Sequence, residues 1–287
     1  MEVQTLPHLP CVNLLGVTID PLPLQDLLGR MEQALRENQR LLIANVNTHA
    51  LNLAAEHPDF RTLLNRADIV FCDGIGVRLG AWLTGQRLPH RYTPPDWIDE
   101  LCRRCRDGDH SLFFLGAKPG VAERAARILA ARWPGLTIVG AQHGYFDKTP
   151  GSAENDQMVA QINAARPQVL LVGFGMPLQE EWLDANWSGL DVNVALTVGA
   201  LFDYVAGEVP RPPRWMTDHG LEWLGRLLIE PGRLWRRYLV GNPLFLWRAL
   251  GQRALGQRAL GQRALGQRAR GQRALGTKIS PQSRRER

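Results

Sequence analysis

The chain passes from a buried strand into a helix at residues 169–182, which read VLLVGFGMPLQEEW. Four consecutive apolar residues predict a strand that is covered on both faces, and Pro177 is a residue favoured at the start of a helix. Further short apolar runs, separated by helical segments, lie at 12–19, 41–46, 68–71, 112–115, 136–139 and 192–198. This alternation predicts an α/β fold, a parallel sheet with helices on both faces.

Basic residues are concentrated at the C-terminal end. Residues 211–287 contain 17 of the 34 Lys and Arg residues but only 4 of the 28 Asp and Glu residues, so their net charge is +13 against −7 for residues 1–210. With Pro212-Pro213 as a boundary, we predict an α/β body at 1–210, an Arg- and Trp-rich helical appendage at 211–248 and a tail at 249–287. An acidic body with a basic end indicates an anionic partner at that end.

The tail is a five-residue repeat, ALGQR, which runs from Ala249 to Gly276 with Arg270 in place of one leucine. A period of five residues advances about 140° per copy on a helix, so the leucines form no single stripe. Each copy also contains a glycine, which disfavours helix. We predict a basic, low-complexity and mostly disordered segment without a catalytic role, with a tether to anionic lipid or nucleic acid as the less favoured alternative.

The N-terminus and the apolar runs argue against a secreted or membrane-spanning protein. The N-terminus lacks the basic start and apolar run of a secretory signal, and no apolar run approaches the roughly 18 residues of a spanning helix. We therefore expect a cytoplasmic protein.

Cys102 and Cys105 could form half of a zinc site or a redox pair, but no second ligand pair follows at a suitable spacing. We predict no metal site and no cofactor.

Ligands of open parallel sheets bind at the carboxyl ends of the strands, where several polar residues fall. Asn45 and Asn47 follow the second apolar run, and Asp73 follows the third. Asp73 is the best candidate for a general base, because a partly buried carboxylate in a glycine-flanked turn can reach a substrate hydroxyl. An Asx turn or a helix N-cap is the alternative. Gln179 and Glu180 are candidate sugar ligands, and for Glu180 the structural alternative is a favourable position at a helix N-terminus.

Two further segments could bind a nucleotide. Gly116 opens a strand-to-helix loop, GAKPG, whose amides could bind phosphate or ribose, although a plain connection is equally consistent. Arg226, Arg233 and Arg236 lie at i, i+7 and i+10, and their guanidinium groups could bind a diphosphate leaving group. The absence of an Asp-x-Asp pair favours stabilisation of that group without a metal.

The appendage also contains four of the nine tryptophans, and Arg with Trp and Leu is the composition of a helix at a membrane interface. The alternative is an amphipathic helix that packs on the body and leaves its arginines in solvent.

Taken in order, these motifs resemble the WecG/TagA/CpsF family of bacterial glycosyltransferases over roughly residues 13–248. The matching signatures are IANVNTHALNLA, ADIVFCDGIGVR, LPHRYTPPD, LFFLGAKPGV, PGLTIVGAQHGYF, GMPLQEEW, VGALFDYVAGEVPRPPRW and LEWLGRLLIEPGRLWRRY. The resemblance implies a Rossmann-like body and an inverting, metal-independent transfer from a UDP-sugar. The sugar would be N-acetylmannosamine, its uronic acid or glucose.

The acceptor implied by the resemblance is a polyprenyl-diphosphate-linked sugar at the inner face of the cell membrane, in the synthesis of a cell-surface polysaccharide. The appendage would dock on that membrane. Asp73 would be the base, and Asn47, Arg91 and Gln179 would position the sugars. The arginines that would close over the UDP diphosphate are Arg226, Arg233 and Arg236. Some members of the family form dimers or trimers, which leaves a homo-oligomer open, and we expect no nucleic-acid partner.

The chain departs from the family pattern at Asn45, where Thr is usual, at Pro94, where Gly is usual, and at Leu178, where a basic residue is usual. These departures bear on the selection of sugar or acceptor, and they leave the proposed base unchanged. Two other functions stay open at this point. One is a nucleotide-binding, membrane-associated protein without transferase activity. The other is a nucleotide-sugar-modifying enzyme such as an epimerase, for which a full dinucleotide fingerprint is missing.

Overall fold

The computed structural model describes residues 10–255, except for the side chains of Arg214 and Asp218. The strands are β1 (Val12–Leu14), β2 (Val17–Ile19), β3 (Leu41–Val46), β4 (Ile69–Cys72), β5 (Leu112–Gly116), β6 (Ile138–Gln142), β7 (Val169–Gly173) and β8 (Val194–Thr197). The helices of the body are α1 (Leu24–Arg36), α2 (Thr48–Glu56), α3 (Pro58–Leu64), α4 (Ile75–Leu83), α5 (Pro94–Asp107), α6 (Val121–Arg132), α7 (Ala153–Ala165), α8 (Leu178–Asn186) and α9 (Leu201–Val205). A short 3-10 turn follows α8 at Trp187–Gly189.

Within residues 10–255, six strands form one parallel sheet in the order β4-β3-β8-β7-β5-β6. This confirms the predicted Rossmann-like α/β fold. The segment 12–19 was predicted as a single strand, and that prediction is wrong, because β1 and β2 form a separate antiparallel hairpin. Leu15 and Gly16 at its turn have φ angles of 53° and 85°, the left-handed conformation that tight hairpins require.

The sheet is covered on both faces because alternate residues of each strand point to opposite sides. On one face, Ile43, Phe114 and Leu171 pack against α1, α5, α6 and α9, with Trp97 fully buried among them. On the other face, the hairpin and α2, α3 and α4 cover the β3–β4 side, and α7 and α8 cover the β5–β7 side. Helices on both faces leave the carboxyl edge of the sheet as the place where polar loops gather.

The predicted helical appendage is confirmed. It consists of α10 (Arg214–Asp218), α11 (Glu222–Ile229), α12 (Pro231–Trp235), a π-helical turn at Arg236–Val240 and a last helix, α13, at residues 241–255. Phe245 of α13 is fully buried against Gly80 of α4, where an added Cβ would lie 2.4 Å from the phenyl ring. The appendage is therefore packed into the core of the body on the β3–β4 side.

Helix α13 continues into the first ALGQR copy, where the sequence predicted disorder. Ala249 is fully buried. The side chain of Gln252 accepts a hydrogen bond from the backbone N–H of Leu15 at 2.9 Å and donates one to the carbonyl of Asn13 at 2.8 Å. These contacts with the hairpin outweigh the low helix propensity of Gly251. The rest of the predicted tail, residues 256–287, lies outside the described residues.

Among residues 10–255 there is no helix with the length and apolar character needed to span a bilayer.

Candidate active site

Asp73 lies in the short connection between β4 and α4, at the carboxyl edge of the sheet. Its backbone N–H donates to the carbonyl of Val46 at 2.8 Å, which extends the pairing of β4 with β3 by one residue. Because β3 and β4 are adjacent, Asn45 and Asn47 lie beside Asp73. The sequence identified these groups separately, and the strand order brings them together.

The Asp73 carboxylate accepts a hydrogen bond from the Asn45 side-chain N–H at 2.7 Å. Burial raises the pKa of Asp73 to about 7, and the neighbouring carboxylate of Glu222 acts in the same direction. The hydrogen bond from Asn45 and the charges of Arg237 and Arg226 oppose this rise. A carboxyl group with a pKa near neutrality can accept a proton and release it again at physiological pH.

Asp73 stands where two lobes of one cleft meet. The larger lobe, about 290 Å³, lies between α4 and the appendage, and Ile75, Leu79, Trp223, Phe245 and Leu246 give it apolar walls. The smaller lobe, about 80 Å³, lies over the ends of β7 and β8, lined by Gly175, Gly199, Tyr204 and Arg233. The two lobes share Asn47, Asp73, Thr93, Glu222, Arg226 and Arg237. The carboxylate of Asp73 therefore lies where ligands in the two lobes would meet.

Arginines of the appendage line the wall opposite Asp73. Arg226 of α11 and Arg237 of the π-helical turn each have a buried Nε atom without a hydrogen-bond partner within residues 10–255. Arg233 lines the smaller lobe and forms an ion pair with Glu230 at 3.1 Å. Buried guanidinium groups with unused donors are suited to bind an anion such as a diphosphate.

The structure does not place Arg236 in the cleft, contrary to the prediction. Arg236 is exposed, and its guanidinium lies 5.2 Å from the ring centre of Trp235 on the outer surface. The sequence already indicates a helix break at Pro231, and α11 indeed ends at Ile229, but nothing in the sequence indicates the π-helical turn that begins at Arg236. These two interruptions shift the phase of the helix, so that Arg237 faces Asp73 instead.

Arg91 lines the larger lobe and contacts the appendage directly. Its guanidinium donates to the backbone carbonyl of Thr217 at 2.9 Å and lies 3.7 Å from the carboxylate of Glu222. Burial raises the pKa of Glu222, while the nearby charges of Arg211, Arg91 and Arg226 oppose that rise. Arg91 thus connects the body to the appendage across the cleft, in addition to the predicted role near the sugars.

Gln179 and Glu180 are almost completely buried in α8. The side-chain oxygen of Gln179 accepts hydrogen bonds from the backbone N–H groups of Gly175 at 3.3 Å and Gly199 at 3.0 Å. Its side-chain nitrogen donates to Glu180 at 2.6 Å, and burial raises the pKa of Glu180 to about 8. These bonds hold together the loops after β7 and β8 at the base of the smaller lobe. Gln179 also lines the smaller lobe, so its predicted contact with a sugar stays a prediction. Glu180 lies outside the lining of both lobes, a position that gives no support to its predicted contact with a sugar.

Gly116 lies outside both lobes. Its φ is +152°, and an added Cβ would lie 2.3 Å from the carbonyl oxygen of Gly173 on the neighbouring strand. The glycine is thus required for the close approach of β5 to β7. The predicted role of Gly116 in nucleotide binding finds no support in this position.

Asn47 caps α2: its side-chain oxygen accepts from the backbone N–H groups of His49 at 3.0 Å and Ala50 at 3.2 Å. The same residue lines both lobes, so that capping and substrate contact are compatible.

Sequence reasoning missed Glu222 and Arg237, which line both lobes. Glu222 is one of only four acidic residues in the strongly basic segment 211–287, which was a usable signal. No comparable signal distinguished Arg237 from Arg236. Within residues 10–255, no group of three or more His, Cys, Asp or Glu side chains is arranged to hold a metal ion.

Comparison with known proteins adds an independent observation. The model of the Glycosyl transferase WecG/TagA/CpsF family matches residues 12–259. The chain is also similar to N-acetylglucosaminyldiphosphoundecaprenol N-acetyl-beta-D-mannosaminyltransferase of Staphylococcus aureus strain NCTC 8325 / PS 47, with 28% identity over 250 residues that cover 86% of this chain and 95% of the relative. The protein of the same name from strain MW2 is similar to the same extent, with 28% identity over 250 residues.

Proposed function

Because the chain belongs to the WecG/TagA/CpsF family of glycosyl transferases, we propose that it transfers one sugar from a UDP-sugar to a polyprenyl-diphosphate-linked sugar. The observation that carries this proposal is the position of Asp73. Its carboxylate, with a pKa of about 7, stands between two lobes and faces the guanidinium groups of Arg226 and Arg237. A base between two substrate sites, opposite an anion site, fits a direct transfer between two bound molecules.

The proposed reaction is a single displacement. The acceptor hydroxyl oxygen attacks the anomeric carbon of the donor and forms the new glycosidic bond, and its proton passes to Asp73. The bond from the anomeric carbon to the diphosphate oxygen breaks, and its electron pair leaves with UDP. Arg226 and Arg237 stabilise the charge that develops on the diphosphate, with Arg233 beside the smaller lobe. A single displacement inverts the configuration of the anomeric carbon.

The names of the relatives suggest specific substrates. The Staphylococcus aureus proteins are named for transfer of N-acetyl-β-D-mannosamine to N-acetylglucosaminyldiphosphoundecaprenol. We therefore rank UDP-N-acetylmannosamine first among the donors, before its uronic acid and UDP-glucose, and the lipid-linked N-acetylglucosamine first among the acceptors. Family membership favours this enzymatic function over that of a nucleotide-binding protein without activity.

The outer surface of the appendage supports a place at a membrane. Leu228 and Trp247 are 72% and 71% exposed, and Trp235, Leu239 and Val240 are also exposed, with Arg236 among them. Apolar side chains interspersed with arginine are suited to the interface of an anionic bilayer. The protein would thus bind peripherally to the inner face of the cell membrane, where a lipid-linked acceptor is accessible.

A product assay tests the proposal. The full chain would be mixed with vesicles that contain polyprenyl-diphosphate-linked N-acetylglucosamine, one UDP-sugar at a time and EDTA, and the lipids would be analysed by mass spectrometry. We expect a lipid that is heavier by one sugar with one donor, and formation of this product about 10²- to 10⁴-fold more slowly with the Asp73→Asn variant. Product that forms only after a divalent cation replaces EDTA would contradict metal independence. UDP binding without product from any donor would contradict the proposed transfer.

A further inference from the structure

Thr197 lies at the end of β8, behind Asp73 and outside the lining of both lobes. Its side chain is 1% exposed, and Asn45 on the adjacent strand β3 is 2% exposed. The Thr197 hydroxyl oxygen accepts a hydrogen bond from the backbone N–H of Asn45 at 3.0 Å. The same hydroxyl donates to the side-chain oxygen of Asn45 at 2.7 Å. Thr197 thus contacts Asn45 twice in a buried environment.

These two contacts determine which way the Asn45 amide faces. A side-chain amide has an acceptor end and a donor end, and only the acceptor end can receive the hydroxyl proton of Thr197. The donor end is then directed at Asp73, where the N–H donates to the carboxylate at 2.7 Å. With the reversed amide, the amide oxygen would face the carboxylate, which is repulsive, and the hydroxyl proton of Thr197 would lose its acceptor.

We propose that Thr197 is a positioning residue that orients the carboxylate of Asp73 through the side-chain amide of Asn45. Thr197 itself touches neither substrate. The inference rests on the proposed function for the role of Asp73 as base. It also assigns Asn45, which the sequence suggested as a substrate ligand, to holding the base in place.

Other groups also act on Asp73, and Thr197 differs from them. The charges that face the carboxylate are Glu222 and Arg226 from α11 and Arg237 from the π-helical turn, and Arg91 is paired with Glu222. The thiol of Cys72 is adjacent in sequence, and burial raises its pKa to about 12. Thr197 has no charge, and its effect on Asp73 must pass through Asn45. Loss of the Asn45 hydrogen bond would remove an interaction that stabilises the charged carboxylate.

The test combines Thr197→Val with Thr197→Ser, Asn45→Ala and the double variant Thr197→Val/Asn45→Ala. Valine has nearly the shape of threonine without the hydroxyl, and serine keeps the hydroxyl. The pKa of Asp73 would be measured by ¹³C NMR titration of carboxyl-labelled aspartates, with Asp73→Asn to assign the signal. The dependence of kcat/KM on pH would be measured in parallel, with thermal unfolding to confirm that each variant is folded.

We expect Thr197→Val to raise the pKa of Asp73, and the acid limb of kcat/KM, by about 0.5 to 1 pH unit. Thr197→Ser should retain the wild-type values, and Thr197→Val should add no shift to that of Asn45→Ala. An unchanged pKa in folded Thr197→Val, or a shift that adds to that of Asn45→Ala, would overturn the proposal. If the NMR pKa moves as expected while the wild-type protein transfers no sugar, the positioning role holds and the proposed function fails.

Discussion

At the scale of single residues, the chemistry depends on how Asp73 is surrounded. Burial and Glu222 raise its pKa to about 7, against the ordinary value of 3.8. A base must be deprotonated to accept the acceptor hydroxyl proton. We therefore predict that kcat/KM rises as the pH increases through about 7 and levels off above it. A profile of kcat/KM against pH, measured with the same UDP-sugar throughout, checks this prediction. A value of kcat/KM that is already maximal at about pH 5 would contradict the assignment of Asp73 as base.

The same environment predicts an effect on stability. An aspartate with a pKa raised from 3.8 to about 7 destabilises the fold when it is ionised. This loss is absent below about pH 4, grows as the pH rises to about 7 and is complete above that value. Asp73→Asn removes the buried charge and keeps an oxygen that can accept from Asn45. We expect this variant to be more stable by about 1 to 3 kcal/mol at pH 8, and to transfer sugar about 10²- to 10⁴-fold more slowly.

Thermal unfolding at pH 8 and at pH 4, together with the transfer assay, checks both parts of this prediction. A variant that is inactive but less stable than the wild type at pH 8 would indicate a structural role for Asp73. The combination of lower activity and higher stability is expected of a site that keeps a charge where burial opposes it.

At the scale of secondary-structure elements, prediction from sequence succeeded where a single element determines the result. The strand before Asp73 and the Asp-Gly turn after it placed this residue at the edge of the sheet. Prediction failed where the result depends on how consecutive helical segments are rotated relative to one another. The break before Pro231 and the π-helical turn decide that Arg237, and not Arg236, enters the cleft. The partners of Gln179 were equally hidden, since they depend on how the loops after β7 and β8 approach α8.

The two adjacent arginines offer a matched pair of variants. Arg237→Gln removes a guanidinium that faces both lobes, and we expect it to weaken UDP binding by about 10- to 100-fold, as for a lost charged hydrogen bond. Arg236→Gln removes an exposed guanidinium beside Trp235, so UDP binding should stay at the wild-type level while binding to anionic vesicles decreases. Calorimetry with UDP and vesicle sedimentation separate the two effects. Equal loss of UDP affinity in both variants would place Arg236 in the cleft after all.

At the scale of the whole molecule, the fold class could be predicted from the sequence because alternating apolar strands and helices permit few arrangements. The way in which the appendage packs on the body could not be predicted from the sequence. It depends on long-range contacts such as Phe245 with Gly80, and on Arg248, which donates to Asn52 and pairs with Glu56 at 2.8 Å. Phe245 also lines the larger lobe, and other residues of the appendage line both lobes. The fit of the appendage on the body therefore completes a cleft that the body forms only in part.

The first ALGQR copy belongs to this attachment, which leads to a prediction about truncation. A chain that ends at Arg248 loses the buried Ala249, the two hydrogen bonds of Gln252 to the hairpin and the bond of Arg253 to Leu83. A chain that ends at Leu255 keeps all of them. We expect the shorter chain to be less stable by about 1 to 3 kcal/mol, which lowers Tm by roughly 2 to 12 °C.

Calorimetric unfolding of both truncated chains checks this difference, and Gln252→Ala in the chain that ends at Leu255 isolates the contribution of the hairpin contacts. Equal Tm values for the two chains would mean that residues 249–255 contribute nothing to the fold. The expected difference would instead move the boundary of the folded protein from residue 248 to about residue 255. Because α13 also lines the larger lobe through Phe245 and Leu246, we expect the shorter chain to transfer sugar more slowly than the longer one.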